Sequence, residues 1–231
     1  QIVLLNKAQQ EEVNAIRSDV KLKGIRYVNG DFIEERELIR AGIKRARKIM
    51  VLADFYTKGS LQQIDSKTVM AVMSIKNLNK RAYICAEVLD TKFEKYLRLS
   101  HCDEILLSRD FSRSLLASAS SGTGLSHVIL SLLSKEKNNP HITTLSIPNS
   151  FVGKTYQELK YFFREQNQAQ LIGLLENTGD IISRKQDALR EAQKNPDISK
   201  LIPDLKLVKT LKANEPVINP VADYTIKRHS R

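Results

Sequence analysis

The sequence contains no tryptophan, and its seven tyrosines and seven phenylalanines amount to only 6% of 231 residues. Proteins that hold single-stranded nucleic acid stack bases on aromatic rings set among basic side chains. Here the basic residues, among them Lys21, Lys23, Arg26, Lys44, Arg47 and Lys58, are scattered with few aromatics between them, so no nucleic-acid partner is expected. Cysteine is scarce as well. Cys85 and Cys102 stand in apolar surroundings without CxxC spacing, which argues against a zinc site or a disulfide framework and for buried thiols in a reducing compartment. No long hydrophobic run suits a lipid span. The uncharged stretch Ser114 to Ser134 holds many serines, His127 and the break Gly122-Thr123-Gly124, where a span should be apolar throughout. A buried or interfacial helix pair with a hinge is expected there. No signal-peptide pattern opens the sequence, which begins in an apolar strand pattern. Catalytic signatures are missing too: His101, His127, His141 and His229 have no nearby nucleophile pattern, and HExxH, GxSxG and P-loop motifs do not occur. A binding module is expected, not an enzyme.

What is present is ordinary in hydrophobicity and unusual in charge. Hydrophobic residues make up 42% and charged residues 27%, as in soluble globular proteins, but the net charge is +11 and the pI about 9.6. That balance favours an acidic partner or proximity to anionic lipid headgroups. At this length one α/β domain with a smaller appended unit is the natural expectation.

Hydrophobic periodicity sets the order of elements. Strands are expected at Gln1–Leu5, Ile25–Asn29, Lys48–Ala53, Arg81–Val88 and Glu104–Leu107, with the third apolar throughout and so buried on both faces. Helices are expected at Ala8–Asp19, at Ile33–Ala41 with Gly42 as a left-handed cap, at Asp65–Asn77 after the polar excursion Phe55–Ile64, and from a Thr91–Glu94 capping box to Ser100. Phe111–Ser134 reads as a long helical region broken at Gly122. This alternation predicts an α/β chain with a Rossmann-like, doubly wound parallel sheet and crossover helices. The polar linker Ser134–Pro140 then separates residues 1–134 from a small α+β lobe at 141–231. That lobe is expected to hold strands at Thr143–Ile147 and Gln170–Glu176, a helix capped by Thr155 and Glu158, and a charged, partly helical insertion over Ile181–Lys212.

Several segments together resemble the RCK family, the regulators of potassium conductance. They are Val28-Asn29-Gly30-Asp31, Ala41-Gly42-Ile43, Ala53-Asp54-Phe55-Tyr56, Val69–Asn77, Pro148–Thr155, Leu171–Leu175 and Ile218–Ile226. The Ala53 and Val69 segments look most like ligand-gated, calcium-activated channels. The resemblance implies a cytoplasmic ligand-sensing gating domain of a potassium channel that couples nucleotide or cation binding to pore opening. It also implies a homo-oligomer, with dimers assembling into an octameric ring of domains or a tetrameric channel. Membrane contact would run only through the pore domain, and the domain would lie at the cytoplasmic face of the cell membrane. A peripheral regulatory subunit of a Trk/Ktr-type potassium transporter is the alternative, and an NAD-dependent oxidoreductase fragment a weaker one. Against the family pattern, a first strand with its Gly-rich turn and a last strand are expected to be missing.

The candidate site lies at the strand ends. In dinucleotide folds a carboxylate closes the second strand to hold ribose hydroxyls. Here Asn6 and Lys7 take that place, able to bind a hydroxyl and a phosphate, although Asn6 could simply start a helix. Gly30 and Asp31, with Phe32, mark the adenine side, where glycine allows close approach and the carboxylate accepts from ribose; Asp31 could equally be a helix cap. Ala53, Asp54 and Glu87 end neighbouring strands. These residues are expected to bind NAD(H) or another adenine nucleotide. Asp54, Glu87 and Asp90 form a candidate Ca²⁺ set, read against solvated strand ends with ordinary capping.

Overall fold

The computed structural model describes residues 1–56, 59–134, 140–179, 181–193, 203, 205, 206, 208 and 211–231. It divides into a unit spanning Gln1–Arg113 and a unit spanning Ser114–Arg231.

In the first unit strands and helices alternate: β1 (Ile2–Asn6), α1 (Gln10–Ser18), β2 (Ile25–Asn29), α2 (Glu35–Ala41), β3 (Lys48–Val51), α3 (Leu61–Leu78), β4 (Tyr83–Val88), α4 (Glu94–Leu99) and β5 (Glu104–Leu107). All its strand pairs are parallel, with Leu4 beside Tyr27, Met50 beside Cys85 and Ala86 beside Ile105. The α/β, Rossmann-like class expected from the periodicity is therefore the class found. The hydrogen bonding corrects one detail of it. The strands form a β1–β2 pair and a separate β3–β4–β5 sheet, because among the described residues no strand pairs with the outer edge of either β1 or β3.

Burial follows the pleat. Ile84, Ala86 and Val88 of β4 point into a core made with Val51, Ala71, Val72, Ile75, Leu38 and Leu97, which places α2, α3 and α4 over one face. The opposite face of β3 is open: Met50 is 69% exposed and Leu52 58%. The expectation that β3 is buried on both faces is thus wrong, since its apolar run reflects cover on one side only.

Capping decides several boundaries. Helix α3 begins four residues before the expected Asp65, because the Ser60 hydroxyl accepts the Gln63 N–H and the Gln63 side chain returns the bond to the Ser60 N–H. Asp65, inside α3, is fully buried, and its two carboxylate oxygens accept the Leu89 and Asp90 N–H groups at 2.9 Å each, fixing the end of β4. The expected Thr91 box is replaced by Asp90, whose carboxylate takes the Lys92 N–H. Gly42 caps α2 at φ 90°, as its missing Cβ suggested. At the other end of β4, the buried Lys76 ammonium donates to Asp103 at 2.8 Å and to the Ala82 carbonyl, while Asp103 also accepts the Ile84 N–H.

Helix α5 (Ser108–Ser121) carries the chain across the division, and the expected break at Gly122 leads through Gly124, at φ 83°, into α6 (Leu125–Leu133). The second unit continues with α7 (Tyr156–Asn167), β6 (Gly173–Glu176), α8 (Ile181–Gln193) and β7 (Glu215–Ile218), and β6 and β7 pair antiparallel. Tyr156, Leu159, Phe163, Leu174 and Ile226 form its core. Thr155 caps α7 with Glu158 as expected. Thr143–Ile147 is not a strand: its β-prone residues find no ladder partner among the described residues. The expected linker lies outside the described residues over 135–139, and the expected insertion over 194–202, 204, 207, 209 and 210.

Candidate ligand site at the strand ends

Parallel strands deliver their carboxyl ends to one edge, and the following loops bring polar side chains there. Asp31 follows β2, Asp54 follows β3, and both reach a lysine that sequence reasoning did not single out. The Lys67 ammonium lies 2.7 Å from Asp54 Oδ2 and 3.4 Å from Asp31 Oδ1, and 4.7 Å above the Phe32 ring. All three charged side chains are only 15–16% exposed, so this junction is largely withdrawn from water. A signal for Lys67 existed in the sequence. It stands on the same helical stripe as Ile64 and Ala71, three and four residues away, where a lysine needs a partner.

The remaining bonds at Asp31 come from its own turn and from β1. Lys7 Nζ donates to Asp31 Oδ2 at 2.8 Å, and the Ile33 N–H donates to Oδ1 at 3.3 Å. Partial burial pushes the Asp31 carboxyl upward, but the Lys7 and Ile33 hydrogen bonds and the Lys67 charge together outweigh it, and the net shift is downward. The same bond raises the Lys7 ammonium. Asp31 therefore stays ionised, and its most accessible partner is Lys7, whose side chain is 65% exposed.

Asn6 is used locally. Its side-chain oxygen accepts the Ala8 N–H, and its backbone carbonyl accepts from both the Gly30 N–H and the Tyr27 hydroxyl. This ties the end of β1 to the turn after β2. Gly30 allows a close approach, but the group that approaches is the Glu37 side chain: a Cβ at Gly30 would lie 2.6 Å from Glu37 Oε2. Glu87 accepts the Ala53 N–H at 3.0 Å, and the Tyr56 N–H bonds to Asp54 Oδ1. Tyr56 in turn donates its hydroxyl to Glu12 of α1 at 2.7 Å.

The structure thus brings Lys7, Asp31, Phe32, Asp54 and Lys67 together, with Asn6 and Gly30 adjoining through the backbone. The three residues of the expected Ca²⁺ set, Asp54, Glu87 and Asp90, serve Lys67, the Ala53 N–H and the Lys92 N–H separately. Among the described residues no group of three or more His, Cys, Asp and Glu side chains is placed to hold a metal ion.

This fold sets charged side chains at the carboxyl edge of parallel strands, the edge where α/β folds of this class place their ligands. Residues 1–86 match the family of the calcium-activated potassium channel slowpoke-like RCK domain, which bears out the resemblance drawn from the sequence motifs. Among curated proteins, the chain is 25% identical over 170 residues to a candidate potassium channel protein, YugO, of Bacillus subtilis, covering 70% of this chain and 48% of that protein. It is 28% identical over 119 residues to the calcium-gated potassium channel TvoK of Thermoplasma volcanium, covering 51% of this chain and 34% of that one. The chain therefore spans less than half the length of either relative. Among solved structures, the human SLO3 gating ring superposes with a TM-score of 0.58 at 14% identity, covering 99% of this chain and 38% of that one, which is a likeness of fold.

Proposed function

We propose that the chain is the ligand-sensing regulatory part of a potassium channel, a binding module without catalysis, acting at the cytoplasmic face of the membrane and touching the bilayer only through a pore domain. Residues 1–134 serve as the N-lobe with its crossover helices, and 141–231 as the C-lobe. The observation that carries this reading is the Asp31–Lys67–Asp54 junction, set at the carboxyl edge of parallel strands in a segment that matches slowpoke-like RCK domains.

The ligand we favour is an adenine nucleotide, NAD(H) among them. Asp31 offers an ionised acceptor for ribose hydroxyls, and exposed Lys7 is a partner that ligand can displace and that then meets phosphate. Asn6 and Phe32 would flank the ligand. A ligand shifts gating only by its difference in affinity for two states, typically about 1–3 kcal/mol. Loops that share Lys67 give such states a physical basis, because displacing Lys7 changes how Asp31 divides its charge between two lysines. A cation reading has less support, since Asp54, Glu87 and Asp90 are engaged elsewhere.

We further propose that two copies clasp through α5 and α6, and that such dimers build a ring. Neither helix buries a single residue in the isolated chain, while Phe111, Leu116, Val128, Leu130 and Leu133 are 50–71% exposed.

Calorimetric titration of the chain with NADH tests the ligand reading. Saturable binding is expected, weakened at least about fivefold by Asp31→Asn with the melting temperature held within a few degrees. Absence of binding, or equal affinity in the variant, overturns it.

A further inference from the structure

The second unit contains a recess that the reading above does not use. Helix α7 and the loop after β7 border a half-open recess of about 420 Å³ lined by Gln157, Lys160, Tyr161, Arg164, Asn219 and Pro220 among others. That volume falls in the range of roughly 300–1,000 Å³ usual for small-molecule sites. The wall is chemically one-sided: it contains two cations and no carboxylate.

Lys160 and Arg164 are one helical turn apart, so their charges share a face of α7 and repel each other. Neither forms an ion pair among the described residues. The rest of the lining is arranged by backbone bonds made for other reasons. Asn219, at φ 45°, donates its backbone N–H to the Ile172 carbonyl, and the Gln157 N–H donates to the Ala222 carbonyl, which holds the loop against the first turn of the helix. Asn219 is thereby held in the lining. Tyr161 is 58% exposed and shares the lining with Pro220, and its hydroxyl is at the limit of reach of the Gln157 amide, 3.5 Å.

We infer that this recess binds a nucleoside monophosphate. The phosphate is met by Lys160 and Arg164, whose mutual repulsion it relieves; Arg can take two oxygens with its planar fork. The base lies on the Tyr161 ring against Pro220, an arrangement that suits any flat heterocycle, and the Asn219 amide meets its edge. The site lies wholly within the second unit and is independent of the nucleotide reading at the strand ends.

The test is calorimetric titration of the full chain with adenosine monophosphate, inorganic phosphate and adenosine, on the natural sequence and on three variants. Adenosine monophosphate should bind saturably and more tightly than either fragment. The double variant Lys160→Gln/Arg164→Gln should weaken it at least tenfold, and Tyr161→Leu should weaken it without changing affinity for inorganic phosphate. All three side chains are exposed, so the fold survives these changes. The component of adenosine monophosphate binding that the double variant removes should persist in Asp31→Asn, and the double variant should leave the Asp31-dependent binding of NADH unaltered, so the two sites fail separately. No saturable binding, equal affinity in the double variant, or equal affinity for inorganic phosphate and adenosine monophosphate each overturns the proposal.

Discussion

Replacing Lys67 with methionine removes the shared cation, including its place 4.7 Å over the Phe32 ring, and keeps an unbranched side chain of similar length. Each carboxylate then faces the other in a region where the side chains are only 15–16% exposed. At an effective dielectric of about 20, a unit pair near 4 Å is worth roughly 4 kcal/mol before desolvation is counted. Exposed pairs net about 0–1 kcal/mol and breaking a fully buried one costs about 3–5, so this intermediate site should lose about 1–3 kcal/mol. Thermal melting followed by circular dichroism at pH 7 should show a fall of about 3–10 °C. The double variant Lys67→Met/Asp54→Asn should recover at least half of that loss, because the penalty is carboxylate repulsion and not lost packing. Acid gives a second arm. The Asp31 carboxyl is held below its ordinary value, so its stabilisation is complete above an unfolded-state pKa of about 3.9 and vanishes as pH falls through the lower folded value. The difference between Lys67→Met and the natural chain must therefore shrink below about pH 4. A variant as stable as the natural chain at pH 7, or a deficit unchanged at pH 3, would refute the reasoning.

Two other variants probe the second unit and the oligomer. At Gly173 an added Cβ would lie 2.4 Å from the Val217 carbonyl oxygen and 3.0 Å from Ile218 Cα, so Gly173→Ala should cost about 1–3 kcal/mol in thermal melting, and a loss under 0.5 would show that β7 moves freely aside. Val128→Asp/Leu130→Lys on α6 should convert dimers to monomers in sedimentation velocity without lowering helix content, since both side chains are exposed in the single chain. Unchanged sedimentation would remove α6 from the interface.

Much of the local structure was legible in advance because its causes lie within a few residues of each other. Gly42 ends α2, Thr155 and Glu158 start α7, and Gly122 to Gly124 breaks α5 from α6, each by a bond or backbone conformation spanning one turn. Where the reading failed, a local rule met a distant competitor. Asp65, expected at the start of α3, lies inside it, its carboxylate claimed by the N–H groups of Leu89 and Asp90 more than twenty residues away. Thr143–Ile147 has strand-forming residues but, among the described residues, no neighbour that completes a ladder.

The candidate site divides the same way. That Asp31 and Asp54 end successive strands followed from period and turn chemistry in a single chain of residues. That they share Lys67, that Glu37 and not a ligand fills the space beside Gly30, and that Lys160 and Arg164 face Asn219 across a recess came only with the tertiary structure. Backbone conformation is chosen by near neighbours, whereas which charge meets which depends on loops closing over tens of residues. Once the core fixes those closures, the meetings at its edge are settled.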